Sequence, residues 1–280
     1  MPTKSPTMSD ITRVFDLHND LPTAKSGNIA SIYSTFDEHK CVSAFFTTQL
    51  KSEPLSFITD FIKNYPPTKN RIFGIEDLHF VTNEKILKKV CRLPIVYASL
   101  TWNYENLLAG GANSDARLTD WGKFVVKTLA LHNILIDTAH LNKKSFYDVC
   151  DLGDVRIINS HTCQNSIYKH ARNISDKQIK AIIARRGVIG LTPVSFFLKD
   201  DSKSPANSDD YIKQIDTFCQ KFGADNIGIG TDFYGAAPLL CLTEYADFAK
   251  IAHKLENLGY KKQDITKILF TNAENVICYK

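Results

Sequence analysis

The stretch Val14-Phe-Asp-Leu-His-Asn-Asp20 decides how the rest of the sequence reads. It opens as a short, β-prone apolar run and closes on an imidazole and a carboxylate two residues apart. Seven further runs, over 42–49, 71–77, 95–102, 133–140, 155–161, 187–193 and 226–233, share that nearly continuous apolar build. Runs of this kind suit parallel strands covered on both faces. Between them lie helical patterns. Ser175-Asp-Lys-Gln178 is a capping-box sequence ahead of Ile179, Ile182 and Ile183. Residues 118–132, 211–222 and 243–258 show helical spacing, the last two ending at Gly223 and Gly259. A final helix is expected over 264–277.

Eight strands alternating with helices predict an α/β fold of the (β/α)8 TIM-barrel type, whose usual size is about 250 residues. The rival, a doubly wound open sheet, often carries a Gly-x-Gly-x-x-Gly turn that is missing here. No internal repeat and no Pro/Gly/Ser linker interrupts the pattern. The expectation is a disordered lead-in over 1–12 and one barrel domain over 13–280.

Composition narrows the class. The chain has 280 residues, 44% of them hydrophobic, which is globular rather than disordered. Lys plus Arg (34) exceeds Asp plus Glu (30) by only four, and no basic run concentrates the excess. That argues against a nucleic-acid partner. The seven cysteines are scattered, with no Cys-x-x-Cys pair, as expected of reduced thiols in a cytoplasmic protein. Neither a secretory leader nor a membrane-spanning run is visible.

The chemistry gathers at the strand ends. His18 and Asp20 close the first run, Glu76 the third, His140 the fifth, His161 the sixth and Asp232 the eighth. A parallel barrel brings all these ends to one rim, where active sites of the fold lie. In a strand, residues i and i+2 face the same side roughly 6.5–7 Å apart, so His18 and Asp20 can reach one ion while Asn19 turns away. Imidazole with carboxylate suits zinc; a lone carboxylate from another strand can bridge to a second ion, and two more histidines would complete its site. His39, His79, His132, His170 and His253 lack a partner at ligand spacing or fall in helices and loops, and receive no role. Cys163 reads as a buried structural thiol.

The stretches Asp16-Leu-His-Asn-Asp-Leu-Pro22, Gly74-Ile-Glu76, Ser99-Leu-Thr-Trp-Asn103, Ile136-Asp-Thr-Ala-His140, Asn159-Ser-His161, Arg172-Asn173 and Gly228-Ile-Gly-Thr-Asp-Phe-Tyr-Gly235 resemble, in order, the membrane (renal) dipeptidase family, a branch of the amidohydrolase superfamily. The resemblance runs from residue 14 to the end. It implies a zinc metallopeptidase that hydrolyses dipeptides. His18 and Asp20 would hold one Zn2+, His140 and His161 a second, and Glu76 would bridge them. Asp232 would be the acid–base residue, and Arg172 would take the substrate carboxylate, unless it is only a surface residue capping the loop before Ser175. Family members are often dimers, so a homodimer is possible.

Two positions depart from the animal members. Those carry a histidine, which helps hold the substrate and developing oxyanion, where this chain has Trp102. They also carry two glycines after the bridging glutamate, where this chain has Asp77-Leu78. The Trp102 indole N–H or the Asn103 amide would supply the missing contact, or Trp102 is simply an apolar wall. Asp137 is a candidate partner for a ligating histidine. Residues 103–120 form either a lid or a surface excursion. A different amide, lactone or β-lactam hydrolase on the same metals, or a barrel that binds without catalysis, stays open.

Overall fold

A computed structural model describes residues 13–24, 28–34, 39–50, 53–200, 202 and 204–278. The expected lead-in, 1–12, lies outside the described residues. Eight parallel strands close into a barrel in chain order: β1 (Phe15–Asn19), β2 (Lys40–Phe46), β3 (Arg71–Glu76), β4 (Ile95–Ser99), β5 (Leu135–Asp137), β6 (Ile157–Thr162), β7 (Ile189–Leu191) and β8 (Ile227–Ile229). Each falls inside or across one of the eight apolar runs. Strand β1 pairs with β8 through Asp16 and Ile229, which closes the ring.

The expected helices form at Asp120–Leu131, Asp176–Ala184, Ser208–Phe222 and Phe248–Asn257, with the closing segment running from Lys262 to Ile277 through a π-helical turn at Lys267–Thr271. Ser175 and Gln178 make the capping box the sequence announced. Gly223 and Gly259 take φ values of 80° and 90°, the left-handed geometry that ends a helix. Helices at Pro54–Asn64, Glu84–Val90 and Lys143–Cys150 add to the outer layer.

The strands are shorter than the apolar runs, chiefly at their C-terminal ends. There the backbone leaves the ladder because side chains capture its N–H groups: Asp137 Oδ1 accepts from both Ala139 N and Ser160 N. The chain then turns at His140, φ 68°. These short rim segments are what carry the polar residues over the barrel mouth.

Two buried layers hold the scaffold. One lies between strands and outer helices. The other fills the barrel interior with Phe15, Leu17, Val42, Tyr97, Leu135, Ile158 and Val188, and the closing segment adds Phe270, Ala273 and Ile277 from below. Phe15 and Phe270 meet edge to face at 5.8 Å between centroids. Register between β1 and β2 shifts between Asp16 and Asn19. Irregularities of this kind re-aim side chains, and here Leu17 joins the interior cluster while His18 also reaches Tyr97 within it.

Candidate active site

The rim brings all six strand-end residues together, each of them buried. His18 lies in β1 and Asp20 directly after it, with His18 Nε2 3.3 Å from Asp20 Oδ1. Glu76 ends β3 and faces two ways. Its Oε1 lies 2.6 Å from His140 Nε2 and 3.6 Å from His161 Nε2, whereas Oε2 lies 3.9 Å from His18 Nε2. Potential ligand atoms therefore cluster within 4.8 Å of one another in three sets: His18 with Asp20 and Glu76; Glu76 with His140 and His161; and His18 with His161 and Asp232. His140 and Asp232 reach the centre through left-handed backbone, φ 68° and 57°. Non-glycine residues hold that geometry only where the surroundings enforce it, and such positions concentrate at functional sites.

Hydrogen bonds fix which nitrogen of each imidazole carries the proton. The Tyr97 hydroxyl donates to the Leu17 carbonyl at 3.0 Å, so its oxygen accepts from His18 Nδ1 at 2.9 Å. Ser160 Oγ donates to Asp137 Oδ2 at 2.5 Å and accepts from His161 Nδ1 at 2.9 Å. Asn103 Oδ1 accepts from His140 Nδ1 at 2.9 Å. All three rings thus turn an unprotonated Nε2 toward the carboxylates, the form in which histidine ligates metals. His18 Nε2 and Asp20 Oδ1 are buried with no hydrogen-bond partner among the described residues. Orphaned buried polar atoms are uncommon, and this pair lies within one candidate ligand set. Nitrogen and oxygen donors in this mixture fit zinc.

The electrostatics point the same way. Burial, reinforced by Asp16, pushes Asp20 up to about 8. Burial and then Asp20 push Asp232 up to about 7 and Glu76 well above the usual carboxylate range. His140 is held well below the ordinary imidazole value by burial and then Arg172, and His161 by burial and then His18. Crowded buried carboxylates beside neutral imidazoles are short of positive charge, which a bound divalent cation supplies.

A cavity of about 310 Å³ opens above this cluster. Asp20, Glu76, His140 and Asp232 line it together with Arg172, Trp102 and Asn103. Arg172 is buried rather than a surface loop residue, its Nη2 donating to His161 Nε2 at 2.7 Å while Nε has no partner among the described residues. Trp102 lies over Phe46, with ring centroids 5.4 Å apart. Asp137 serves His161 through Ser160 rather than bonding His140. Asp77, where the animal relatives have glycine, takes φ 70°, a conformation that glycine adopts without strain. Its N–H donates to Ser99 Oγ, and its carboxylate accepts from Thr48 and Asn106.

Segment 103–118 is fastened down. Asn142 Nδ2 donates to the Ser114 and Ala116 carbonyls, Gly110 N donates to Ser145 Oγ, and Arg117 pairs with Asp148. It adds Asn113 to the cavity wall.

Sequence reasoning did not find Tyr97, Ser160, Phe46, Asn113, Phe196, Phe197 or Gly235. It also gave His170 no role, although His170 lines the cavity beside Arg172 and accepts from its backbone N–H at 3.2 Å. A β-carbon at Gly235 would collide with Asp20 Oδ2 and Asp232 Oδ1, so only glycine lets the backbone lie against this pair. Cys163 is buried with its thiol on the Thr192 carbonyl, consistent with the structural reading.

A closed parallel barrel with histidines and carboxylates on its C-terminal rim has the layout of a metal-dependent hydrolase. The profile of the membrane dipeptidase family (peptidase family M19) matches residues 66–278, and the chain belongs to that family. Among curated relatives, an uncharacterized protein in the pqqA 5' region of Klebsiella pneumoniae is 25% identical over 63% of this chain and 69% of its own length. Dipeptidase tcpJ of Claviceps purpurea is 23% identical over 74% of this chain, and the match spans only 50% of that longer protein. The crystal structure of a Rhodobacter sphaeroides metallopeptidase, liganded with a phosphinate mimic of the dipeptide L-Ala-D-Ala, shares the fold. Its TM-score is 0.80 at 16% identity, covering 95% of this chain and 98% of that one. Among the described residues no helix is long and apolar enough to cross a membrane.

Proposed function

We propose that this chain is a dipeptidase whose catalytic centre holds two zinc ions, one on His18 and Asp20, the other on His140 and His161, with Glu76 shared. The observation that carries the reading is the double aspect of Glu76, whose two oxygens face separate histidine sets through unprotonated Nε2 atoms. When bound, a zinc pair lowers the pKa of a shared water from 15.7 to roughly 7 and polarises the scissile carbonyl.

The chain's own groups do the rest. Asp232 lies beside His18 and His161, where it takes the proton of the attacking water and returns it to the leaving amine. Arg172 offers a planar fork for the free α-carboxylate, which favours very short peptides. The cavity lies near the lower end of the usual range for ligand sites, about 300–1,000 Å³. Trp102 and Asn103 bound the substrate beside His140. Residues 13–280 act as one catalytic domain. A cytoplasmic setting suits the seven free cysteines.

The test is hydrolysis of L-L and L-D dipeptides by wild type and Asp232→Asn after zinc-replete purification, with zinc measured in both. Cleavage by wild type, collapsing in Asp232→Asn at unchanged zinc content, supports the reading. Activity indifferent to Asp232→Asn overturns the acid–base role. Fewer than about one zinc per chain favours a barrel that only binds, and cleavage of lactones or β-lactams alone moves the substrate class.

A further inference from the structure

The cavity has one aromatic wall. Phe46, at the end of β2, and Trp102, just past β4, pack at 5.4 Å between centroids, and Tyr104 backs Trp102 at 6.0 Å. The indole N–H makes no hydrogen bond among the described residues, and the ring packs among Phe46, Tyr104 and His140. Its polar neighbours in the lining are Asn103, Asn113 and His140, together with Glu76, the register partner of Phe46, whose carboxylate faces the histidines. Asn103 is already engaged through Oδ1 with His140.

The opposite side differs. Arg172 follows β6, and its guanidinium lies over Phe197 at 5.6 Å. In the closed ring β2 stands across from β6, with β4 a quarter-turn away. A dipeptide whose carboxylate meets Arg172 therefore spans the metal-ligand cluster and directs its amino-terminal residue toward Phe46 and Trp102.

We propose that Phe46 and Trp102 form the seat for the side chain of the substrate's amino-terminal residue, and that Trp102 makes the enzyme selective for apolar side chains there. This deepens the dipeptidase reading and rests on it. An apolar side chain gains by leaving water against two aromatic faces. A charged one loses hydration there, and the one carboxylate beside that wall, Glu76, is turned to the histidines. The indole is thus a specificity device where the animal relatives have a polar imidazole.

The experiment compares kcat/KM for X-Ala dipeptides with X = Gly, Leu, Phe, Asp and Lys on the zinc-loaded enzyme. Leu and Phe should exceed Asp and Lys by about 10–100-fold, the range that apolar pocket contacts provide. Trp102→Ala should reduce the Leu-to-Gly ratio about 10-fold, whereas Trp102→Phe should keep most of it. A second readout avoids turnover. The chain has two tryptophans, so Trp121→Phe leaves Trp102 as the sole indole fluorophore. A phosphinate analogue of Leu-Ala should shift its emission, and the Asp-Ala analogue should do so only at much higher concentration. Cleavage of all five dipeptides at similar kcat/KM, or a preference unchanged in Trp102→Ala, overturns the seat and leaves the dipeptidase reading standing. No cleavage of any dipeptide, with the Leu analogue still shifting Trp102 emission, overturns the dipeptidase reading and keeps the apolar seat. An emission indifferent to both analogues overturns the seat whatever the activity.

Discussion

The Tyr97 hydroxyl lies 2.9 Å from His18 Nδ1, and its single proton is committed to the Leu17 carbonyl at 3.0 Å. The phenol can therefore only accept from the imidazole, and His18 is left with a lone pair on Nε2. Tyr97→Phe keeps the ring in the barrel interior and removes this constraint. Partners of ligating histidines contribute about 10–100-fold in metal affinity. Competition against a chromophoric chelator should show a loss of that size at one site of the pair. Equal affinity in both proteins would remove the hydroxyl from the argument.

Glu76→Gln tests the sharing of one carboxylate between two sets of ligands. The amide matches the carboxylate in shape but carries no charge, and only its oxygen can ligate a cation. Zinc content after metal-replete purification should fall from two per chain to at most about one. Two tightly held zincs in the variant would mean that Glu76 does not join the sites.

Gly235 makes a prediction about precision rather than ligation. A methyl group there must displace Asp20 and Asp232. A shift of about 1 Å in reacting groups costs on the order of 100-fold, so Gly235→Ala should lose kcat/KM to that degree. Its thermal unfolding should stay close to wild type, because the clash is confined to the rim. A variant as active as wild type would show that the aspartates tolerate the displacement.

The pair that fastens segment 103–118 should appear on the acid limb of stability. Asp148 is held below the usual carboxylate range, first by its hydrogen bond from Arg117, against a smaller opposing effect of burial. A carboxylate depressed in the folded state stabilises above its unfolded pKa, near 3.9, and the contribution fades as pH falls through the folded value. Asp148→Asn should therefore be less stable than wild type at pH 6, and the gap should close below pH 3.9. Much of the pair is in water, so the effect is small and salt-sensitive. A gap independent of pH would assign the loss to packing.

The barrel was legible because its signal is local. Each strand is a short apolar run, and each ligand candidate sits at or just beyond the end of one. Glu76 and His161 could be placed from their own neighbourhoods. Tyr97 could not, because its partner His18 is 79 residues away and a tyrosine inside an apolar run looks like ordinary core. Ser160 gave no sign of acting between Asp137 and His161, because that role depends on β5 and β6 lying side by side. Gly235 lay within a quoted stretch, yet its need for a bare α-carbon arises from two side chains that approach it only in the fold. Strand ends were overextended because apolar residues continue past the ladder into the turns, as at Phe233. What the sequence hid was the set of contacts made across the ring.

Phe270, Ala273 and Ile277 stopper the lower end of the barrel. Among the described residues the chamber above is therefore closed along the barrel axis. In the proposed dipeptidase, substrate, both product amino acids and water would all pass over the rim, so product held against Phe46 and Trp102 would stand in the way of the next substrate.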